Sequence, residues 1–246
     1  MIPATRVHAA HADAWAAEGR LRERDGGGVL EVRGLRLMSS GLPQAQWNSG
    51  DVTAPGADLA PARAFYGARG VGWGLRVPAG MPWRHGRRLF TLRLMALDPA
   101  GFTPAGDIPG VAVRAATADD VEAVVAIDAE AFGADPADEW PWIAPHLGAA
   151  GITTALATLD GAPAGTGYAL RTDGRGGPAV YLAGVAVRAD ARRRGVAAAL
   201  SSWLLARGLA DGALLGHLHA DSHDAARVYA RLGFVDARGL DVYVDL

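Results

Sequence analysis

The residues with the clearest chemical potential form the stretch Arg192-Arg193-Arg194-Gly195-Val196-Ala197. An apolar run that ends near Val187 predicts a strand before it, and the alanine-rich sequence after Gly195 predicts a helix. The first turn of a helix has free backbone N–H groups, and the helix dipole favours negative charge there. A glycine also lets the backbone approach a phosphate closely. The stretch therefore indicates an anion site; a solvated basic loop is the alternative.

Two absent motifs limit which class of phosphorylated ligand the site could bind. The sequence contains neither G-x-x-x-x-G-K-[ST] nor G-x-G-x-x-G. These patterns mark loops that hold nucleoside triphosphates and dinucleotides, so both classes of ligand are disfavoured. A different phosphorylated ligand remains.

Two motifs give the sequence a family resemblance. The pattern V-x-x-x-x-(Q/R)-x-x-G-x-(G/A) is matched by Val187, Arg192, Gly195 and Ala197. Downstream, the pattern Y-x-x-L-G-F is matched by Tyr229, Leu232, Gly233 and Phe234. With both motifs in this order, residues 111–246 resemble the GNAT superfamily of N-acyltransferases.

The resemblance implies acetyl-CoA as co-substrate and places it residue by residue. The N–H groups from Arg193 to Ala198 would hold the pyrophosphate, and the backbone of Val185–Val187 would pair with the pantetheine arm. Ser222 stands where many family members have an asparagine that contacts pantetheine, so this departure weakens one contact. The implied cofactor-binding residues are Val185, Ala186, Val187, Arg192, Arg193, Arg194, Gly195, Val196, Ala197, Ala198 and Ser222.

The resemblance also implies that an amine attacks the thioester directly. An alkylamine with a pKa near ~10.4 is almost wholly protonated at neutral pH, so a base must remove its proton. Tyr229 occupies the family position of a donor to the leaving thiolate. Full proton transfer from a phenol (pKa ~10) to a thiolate (~8.5) is uphill by roughly 2 kcal/mol, which favours a hydrogen bond. The alternative for Tyr229 is a packed aromatic side chain.

The identity of the base stays open at this level. Glu130 and Glu139 lie in the helical region that lines the acceptor side in the family, and we choose Glu130 and His219 as candidates. His217, His219 and Asp221 share one face of a predicted strand, a pattern that could hold a metal. Ordinary strand side chains are the favoured reading, and we expect no metal site.

The elements that must position these residues alternate between strands and helices, which predicts a mixed α/β fold. A Pro/Gly-rich segment, residues 98–110, is the best linker candidate. It suggests two domains, residues 1–105 and 111–246. In the second, Thr117 and Asp120 predict a helix start, and the pairs Asp160-Gly161 and Asp173-Gly174 predict hairpin turns. Asp128 interrupts the apolar stripe of the predicted helix, which places it at the edge of the buried face or near a pocket.

The first half of the chain resembles a decayed relative of the same fold, as in tandem members of the superfamily. Phe65 and Tyr66 would stand near the equivalent of Tyr229, yet no Arg/Gly loop precedes them. We expect this half to bind no CoA; it would shape the acceptor pocket or form a homodimer. In the second half, Trp140 and Trp142 would either wall the acceptor pocket or anchor the core.

Composition bounds the function further. The formal net charge of −2 disfavours nucleic acid as a partner, and the absence of cysteine excludes thiolate catalysis. No apolar run approaches the roughly 18 residues of a membrane helix, so a cytoplasmic protein with no membrane partner is expected. The combined expectation is an N-acetyltransferase that moves the acetyl group of acetyl-CoA to a small-molecule amine. A catalytically inactive acyl-CoA-binding sensor is the alternative.

Overall fold

Packing divides the chain into two units in the computed structural model, which describes residues 2–246. Unit one contains the chain up to Leu94 together with Gly174–Gly176 and Asp236–Leu246. Unit two contains Met95–Asp173 and Gly177–Val235. Both are mixed α/β structures, as the sequence predicts. No helix among residues 2–246 is long and apolar enough to cross a membrane.

Unit one is built around a mixed sheet with the strand order β1-β2-β3-β4-β12-β5. Its elements are α1 (Ala4–Leu21), β1 (Gly28–Val32), β2 (Leu35–Ser39), β3 (Asn48–Val52), α2 (Ala60–Gly67), β4 (Gly74–Pro78), β5 (Arg87–Leu97) and β12 (Leu240–Val244). Strands β3 and β4 are parallel, with Ser49 opposite Gly74 and Asp51 opposite Arg76. Strand β12 is antiparallel to both β4 and β5.

Unit two has the strand order β10-β9-β8-β7-β6, and the last residues of β5 lie next to β10. Its elements are β6 (Val111–Ala115), α3 (Val121–Phe132), α4 (Pro136–Ile143), β7 (Ile152–Leu159), β8 (Ala162–Gly174), β9 (Gly177–Val187), α5 (Val196–Ala210), β10 (Gly216–Ala220) and α6 (His223–Arg231), followed by the two-residue β11 (Val235–Asp236). Thr117 and Asp120 form the expected capping box before α3.

Helix α5 lies close against β9 because of a glycine. A Cβ on Gly208 would come within 2.6 Å of Val180 Cγ2. The apolar face of the helix, with Val196, Leu200 and Leu204 at a spacing of four residues, is fully buried. This packing fixes the start of α5 relative to the end of β9, where the basic stretch lies.

The Pro/Gly-rich segment 98–110 does not lie at the border between the two packing units. It contains one short 3₁₀ turn, Pro99–Gly101, and is otherwise irregular, but it packs within unit two. Thr103 N donates to Leu232 O at 3.1 Å, and Ala105 N donates to Ser202 Oγ at 2.9 Å. The domain ranges 1–105 and 111–246 stay a prediction, whereas packing divides the chain after Leu94.

One predicted turn lies at a different position in the structure, and one strand was not predicted. The second hairpin turn is formed by Arg175-Gly176, two residues after Asp173-Gly174, because β8 extends to Gly174. Strand β3 has no apolar alternation, so its sequence NSGDV does not look like a strand. Its polar side chains are nevertheless buried: Asn48 Oδ1 accepts from Ser39 Oγ at 2.8 Å, and Asp51 binds an arginine.

A buried ion pair holds the centre of unit one. Arg76 donates to both carboxylate oxygens of Asp51, from Nε at 2.9 Å and from Nη2 at 2.7 Å. The guanidinium also lies 4.2 Å from the centre of the Trp15 ring. Only 2 % of the Arg76 side chain and 8 % of the Asp51 side chain are exposed, so each charge depends on the other for solvation.

We expect Arg76→Met to lower the free energy of unfolding of unit one by about 3–5 kcal/mol, because it leaves the Asp51 carboxylate buried without its partner. Urea denaturation followed by tryptophan fluorescence measures the loss. Arg87→Met is the matched control, since the Arg87–Asp245 pair is 64 % exposed on both sides and should contribute less than about 1 kcal/mol. Equal losses in the two variants would contradict this account.

Candidate active site

The site begins where two parallel strands of unit two separate. Strands β9 and β10 pair at Val180–Gly216 and Tyr181–His217, and the register ends there. Strand β9 continues for six more residues, to Val187. Its backbone groups beyond Tyr181 are therefore not paired with β10 on that side, and they are available to an extended ligand. Val185, Ala186 and Val187 belong to this free segment.

The turn that follows β9 has the geometry of an anion site. A short 3₁₀ turn, Ala189–Ala191, leads to Arg193 with φ 62° and Gly195 with φ 83°. Helix α5 begins directly after Gly195, so the N–H groups of its first turn have no partners within the helix. A non-glycine residue in the left-handed region costs on the order of 1 kcal/mol, and such residues concentrate at functional loops. Val196, Ala197 and Ala198 form the first turn.

The arginines of this loop are exposed but anchored. Arg192 Nε donates to Val187 O at 3.2 Å, and Arg194 Nη2 lies 3.0 Å from Asp160 Oδ2. Arg188 and Arg194 also line a cavity of about 510 Å³ beside α3. The loop therefore presents cationic groups to open space around the start of α5, where an anion can reach them.

A glycine in the free segment of β9 opens a route to a buried acid. Gly184 has φ 58°, and a Cβ at this position would lie 3.0 Å from the Tyr168 ring and 3.8 Å from Asp128 Oδ2. Asp128 is on α3 and is only 8 % exposed. Because position 184 has no side chain, the carboxylate faces the strand backbone directly.

The environment of Asp128 changes its acidity. Burial, with a smaller contribution from the negative charge of Glu139, raises the pKa of Asp128 to about 7. The pKa of Glu139 is itself raised, first by burial and then by Asp138. A carboxyl group with a pKa near neutrality can both accept and release a proton at physiological pH.

Aromatic side chains line the same region. The His146 ring lies 4.3 Å from the Tyr168 ring, and Trp142 contacts His146 edge-on at 5.6 Å. Trp142 is 8 % exposed, whereas Trp140 is 42 % exposed. The two tryptophans, which the sequence treats alike, therefore occupy different environments.

The candidate base Glu130 is already engaged. Its Oε1 accepts from Ala189 N at 2.9 Å, and its Oε2 lies 3.5 Å from Arg188 Nη2. Both contacts hold the turn after β9. This geometry fits a carboxylate that positions the loop better than one that removes a substrate proton.

The second candidate base, His219, lies on β10 just past the end of the strand pairing. Its Nδ1 is 2.9 Å from the Tyr181 hydroxyl, and its Nε2 is 3.5 Å from Asp221 Oδ1. His217 is buried and stacks on Tyr181 with ring centres 5.0 Å apart. Among residues 2–246, no three His, Cys, Asp or Glu side chains are grouped to hold a metal ion.

Helix α6 carries the remaining two candidates. Ser222 caps this helix, with its Oγ accepting from Ala225 N at 3.1 Å. Tyr229 is 8 % exposed and packs edge-on against Phe234 at 6.0 Å. Burial, followed by the negative charge of Asp221, raises the pKa of Tyr229 above its usual value of about 10. The phenol therefore keeps its proton and can act as a hydrogen-bond donor.

The structure brings the basic turn, the free end of β9 and the Gly184–Asp128 contact into one unit. Asp128 was not among the candidate bases, although its place within an apolar helical stripe was a signal. An acid that interrupts an apolar helical stripe lies either at the edge of the buried face or next to a pocket. Choosing between these needs the position of Gly184, which sequence periodicity does not reveal.

Comparison with known proteins supports the family resemblance. Residues 121–234 match the family model described as the acetyltransferase (GNAT) family. A search of curated proteins found no match.

Solved structures match over nearly the whole chain. A GCN5-related N-acetyltransferase from Kribbella flavida is 20 % identical, with 95 % of each chain covered and a TM-score of 0.68. A GCN5-related N-acetyltransferase from Sphaerobacter thermophilus is 19 % identical over 98 % of this chain and 91 % of its own, with a TM-score of 0.59. A tandem GNAT protein from the clavulanic acid biosynthesis pathway is 19 % identical over 85 % of this chain and 77 % of its own, with a TM-score of 0.53. At these identities the likeness establishes the fold alone. The sequence predicts the GNAT fold, and the solved structures that match have it; one of them is a tandem protein, which is consistent with the predicted tandem arrangement.

We expect Asp128→Asn to stabilise the protein at pH 8 and to have little effect at pH 4. The pKa of Asp128 is raised to about 7 by burial, so the folded protein binds the proton more tightly than the unfolded chain. Protonated Asp128 makes its full contribution to the free energy of unfolding below pH ~4. As the pH rises from ~4 to ~7 this contribution is lost, which lowers the free energy of unfolding by on the order of 2–4 kcal/mol. Denaturant unfolding of both proteins from pH 4 to 8 measures the difference. A constant difference across this range would contradict the raised pKa.

Proposed function

We propose that the domain of the acetyltransferase (GNAT) family at residues 121–234 transfers the acetyl group of acetyl-CoA to the primary amine of a small molecule. The observation that carries the proposal is the free end of β9, which runs into the start of α5 at Gly195. This arrangement offers an extended hydrogen-bonding edge followed by an anion site. Acetyl-CoA has the same order of parts: an amide-bearing pantetheine arm followed by a pyrophosphate.

Placing the cofactor along this path locates its reactive end. With the pyrophosphate at the N–H groups from Arg193 to Ala198, the pantetheine arm would lie along Val185–Val187. The thioester would then come next to Gly184, the following residue back along β9. Arg192 and Arg194 add positive charge near the pyrophosphate. Ser222 would contribute less, because its hydroxyl already caps α6.

Asp128 is the base that this placement supports best. Its carboxylate is 3.8 Å from the space that a Cβ on Gly184 would occupy, and its pKa is raised to about 7. Asp128 would take one proton from the bound ammonium group, and the neutral nitrogen would then attack the thioester carbonyl carbon. As the C–S bond breaks, the electron pair leaves with the CoA sulfur, and the second amine proton is released to solvent. Direct attack needs no covalent enzyme intermediate, and the chain has no cysteine to form one.

The other candidates take supporting roles in this proposal. Glu130 would position the loop through Ala189 N. His219 is the second candidate base, held by Tyr181. Tyr229 would donate a hydrogen bond to the leaving thiolate without transferring its proton, because its raised pKa makes that transfer more unfavourable than the roughly 2 kcal/mol of an ordinary tyrosine.

The acidic environment favours a cationic acceptor. The negative charge of Glu139 adds to the cost of ionising Asp128, and an approaching ammonium group would lower that cost. The substrate would therefore bind as a cation and become neutral when its proton passes to Asp128. A small basic molecule fits this requirement.

We expect Gly195→Ala to weaken acetyl-CoA binding by about 10–100-fold. The residue has φ 83°, which an L side chain adopts only with strain, and a Cβ there would lie 2.5 Å from Ile108 Cδ1, so the turn before α5 and the Ile108 side chain must both adjust. Gly212→Ala is the matched control: its φ is 88° with no atom within 4 Å of the added Cβ, so it has the same backbone strain away from the loop. Isothermal titration with acetyl-CoA measures both. Equal affinities in the two variants would exclude the cofactor from this turn.

We expect Asp128→Asn to lower kcat by about 10²–10⁴-fold with little change in acetyl-CoA affinity. The wild-type rate should rise with pH and level off above pH ~7, because Asp128 must be ionised to accept a proton. The variant should lose this rise. Release of the CoA thiol across a panel of small amines measures both effects.

Two variants decide between the candidate bases. Glu130→Gln keeps an oxygen for Ala189 N and should leave the pH profile unchanged, whereas loss of the profile in His219→Gln would move the role to His219. Acetyl-CoA binding by the wild-type protein with no thiol release from any amine, and no effect of Tyr229→Phe, would favour the inactive sensor.

A further inference from the structure

A second cavity lies entirely within unit one and is not used by the proposed function. Its volume is about 490 Å³, within the range of small-molecule sites. Asp51 and Val52 of β3 and Pro78 of β4 line it at the carboxyl ends of these two parallel strands. This is the edge at which open α/β sheets bind ligands.

The interior of the cavity is mostly apolar. The helix α1 lines one wall with Ala4, Ala9 and Ala12, whose small side chains leave the space open. Met81 and Leu240 line the wall formed by the loop after β4 and the start of β12. A ligand that fills this space must present an apolar body.

The charged groups around the cavity do not balance. Arg36 binds Asp13, and its Nε lies 2.8 Å from Glu31 Oε1. Arg175 also binds Glu31, at 2.6 Å.

The Asp51 carboxylate is neutralised by Arg76, with Nη2 and Oδ2 2.7 Å apart. The charged residues of the cavity lining and their ion-pair partners are therefore four arginines and three carboxylates. Arg238, which lines the cavity and is exposed, has no ion-pair or hydrogen-bond partner for its side chain within residues 2–246.

His8 adds no positive charge to the cavity at neutral pH. Arg238 O is 2.7 Å from His8 Nε2, and both residues line the cavity. Burial lowers the pKa of His8 and outweighs the hydrogen bond to Arg238 O and the negative charge of Asp51, which raise it. His8 is then neutral at pH 7 and does not add a second positive charge.

We propose that this cavity binds a small organic monoanion, such as a monocarboxylate with an apolar body. The carboxylate would pair with Arg238 at the rim, and the apolar body would lie against α1. The single uncompensated arginine matches a single negative charge. The three alanines of α1 leave room for a chain or ring. This site is separate from the loop at Gly195 and does not depend on acetyl transfer.

Three eight-carbon probes that differ in head-group charge test the proposal: octanoate, 1-octanol and octylamine. Octanoate should bind the full chain about two- to fivefold more tightly than 1-octanol, as expected for one exposed charge pair, and octylamine should bind least. Hydrogen exchange should show octanoate protecting the amides of residues 4–12, 53–54 and 79–81. Isothermal titration gives the affinities.

Variants connect the binding to the cavity. Arg238→Gln should remove the preference for octanoate over 1-octanol, whereas Arg33→Gln, an exposed arginine outside the cavity lining, should keep it. Ala9→Leu should weaken both probes by filling the space. If Ala9→Leu does not fold, the Arg238→Gln comparison still decides.

Three outcomes would overturn the proposal: equal affinity for octanoate and 1-octanol, an unchanged preference in Arg238→Gln, or protection of unit-one amides by acetyl-CoA in place of octanoate. Acetyl-CoA binding at the Gly195 loop should be the same in all these variants. Failure of this site and failure of the acetyltransferase proposal can therefore be told apart.

Discussion

The separation of β9 from β10 is the constraint on which the candidate active site depends. A parallel strand that continues past its partner leaves peptide groups that must find hydrogen bonds elsewhere. In this protein the stretch of β9 that is not paired with β10 extends from Leu182 to Val187. A turn follows it and leads into the N-terminus of α5. The glycine at position 184 then exposes the edge to Asp128. Backbone geometry thus sets where a ligand can lie, and a few side chains determine the chemistry.

Unit one shows a related backbone arrangement with different chemistry. It also has two adjacent parallel strands, β3 and β4, and a cavity at their carboxyl ends. The turn after β3 has no arginine–glycine sequence, and Tyr66 is fully buried, donating to Met38 O at 3.0 Å. Ion pairs such as Arg76–Asp51 are present at this edge, in place of a loop of consecutive exposed arginines. The two pairs of parallel strands therefore have different chemical groups at their carboxyl ends.

The sequence predicts the parts of this protein that depend on local chemistry. The capping box at Thr117, the glycine turn at Gly195 and the mixed α/β fold all follow from short patterns, and the structure contains each of them. Strand β3 was missed because its polar residues are satisfied by partners distant in sequence. The Gly184–Asp128 contact was missed for the same reason: it joins a strand and a helix that are more than fifty residues apart.

The composition of unit one has a consequence for biosynthesis. Strand β12, residues Leu240–Val244, lies between β4 and β5, and so the unit includes the last eleven residues of the sequence, Asp236–Leu246. During translation, β4 and β5 are made long before the strand that separates them. Their edges must stay open, or be shielded by a chaperone, until β12 has emerged from the ribosome. A shortened gene product that stops before β12 would expose these edges permanently and would be prone to aggregate.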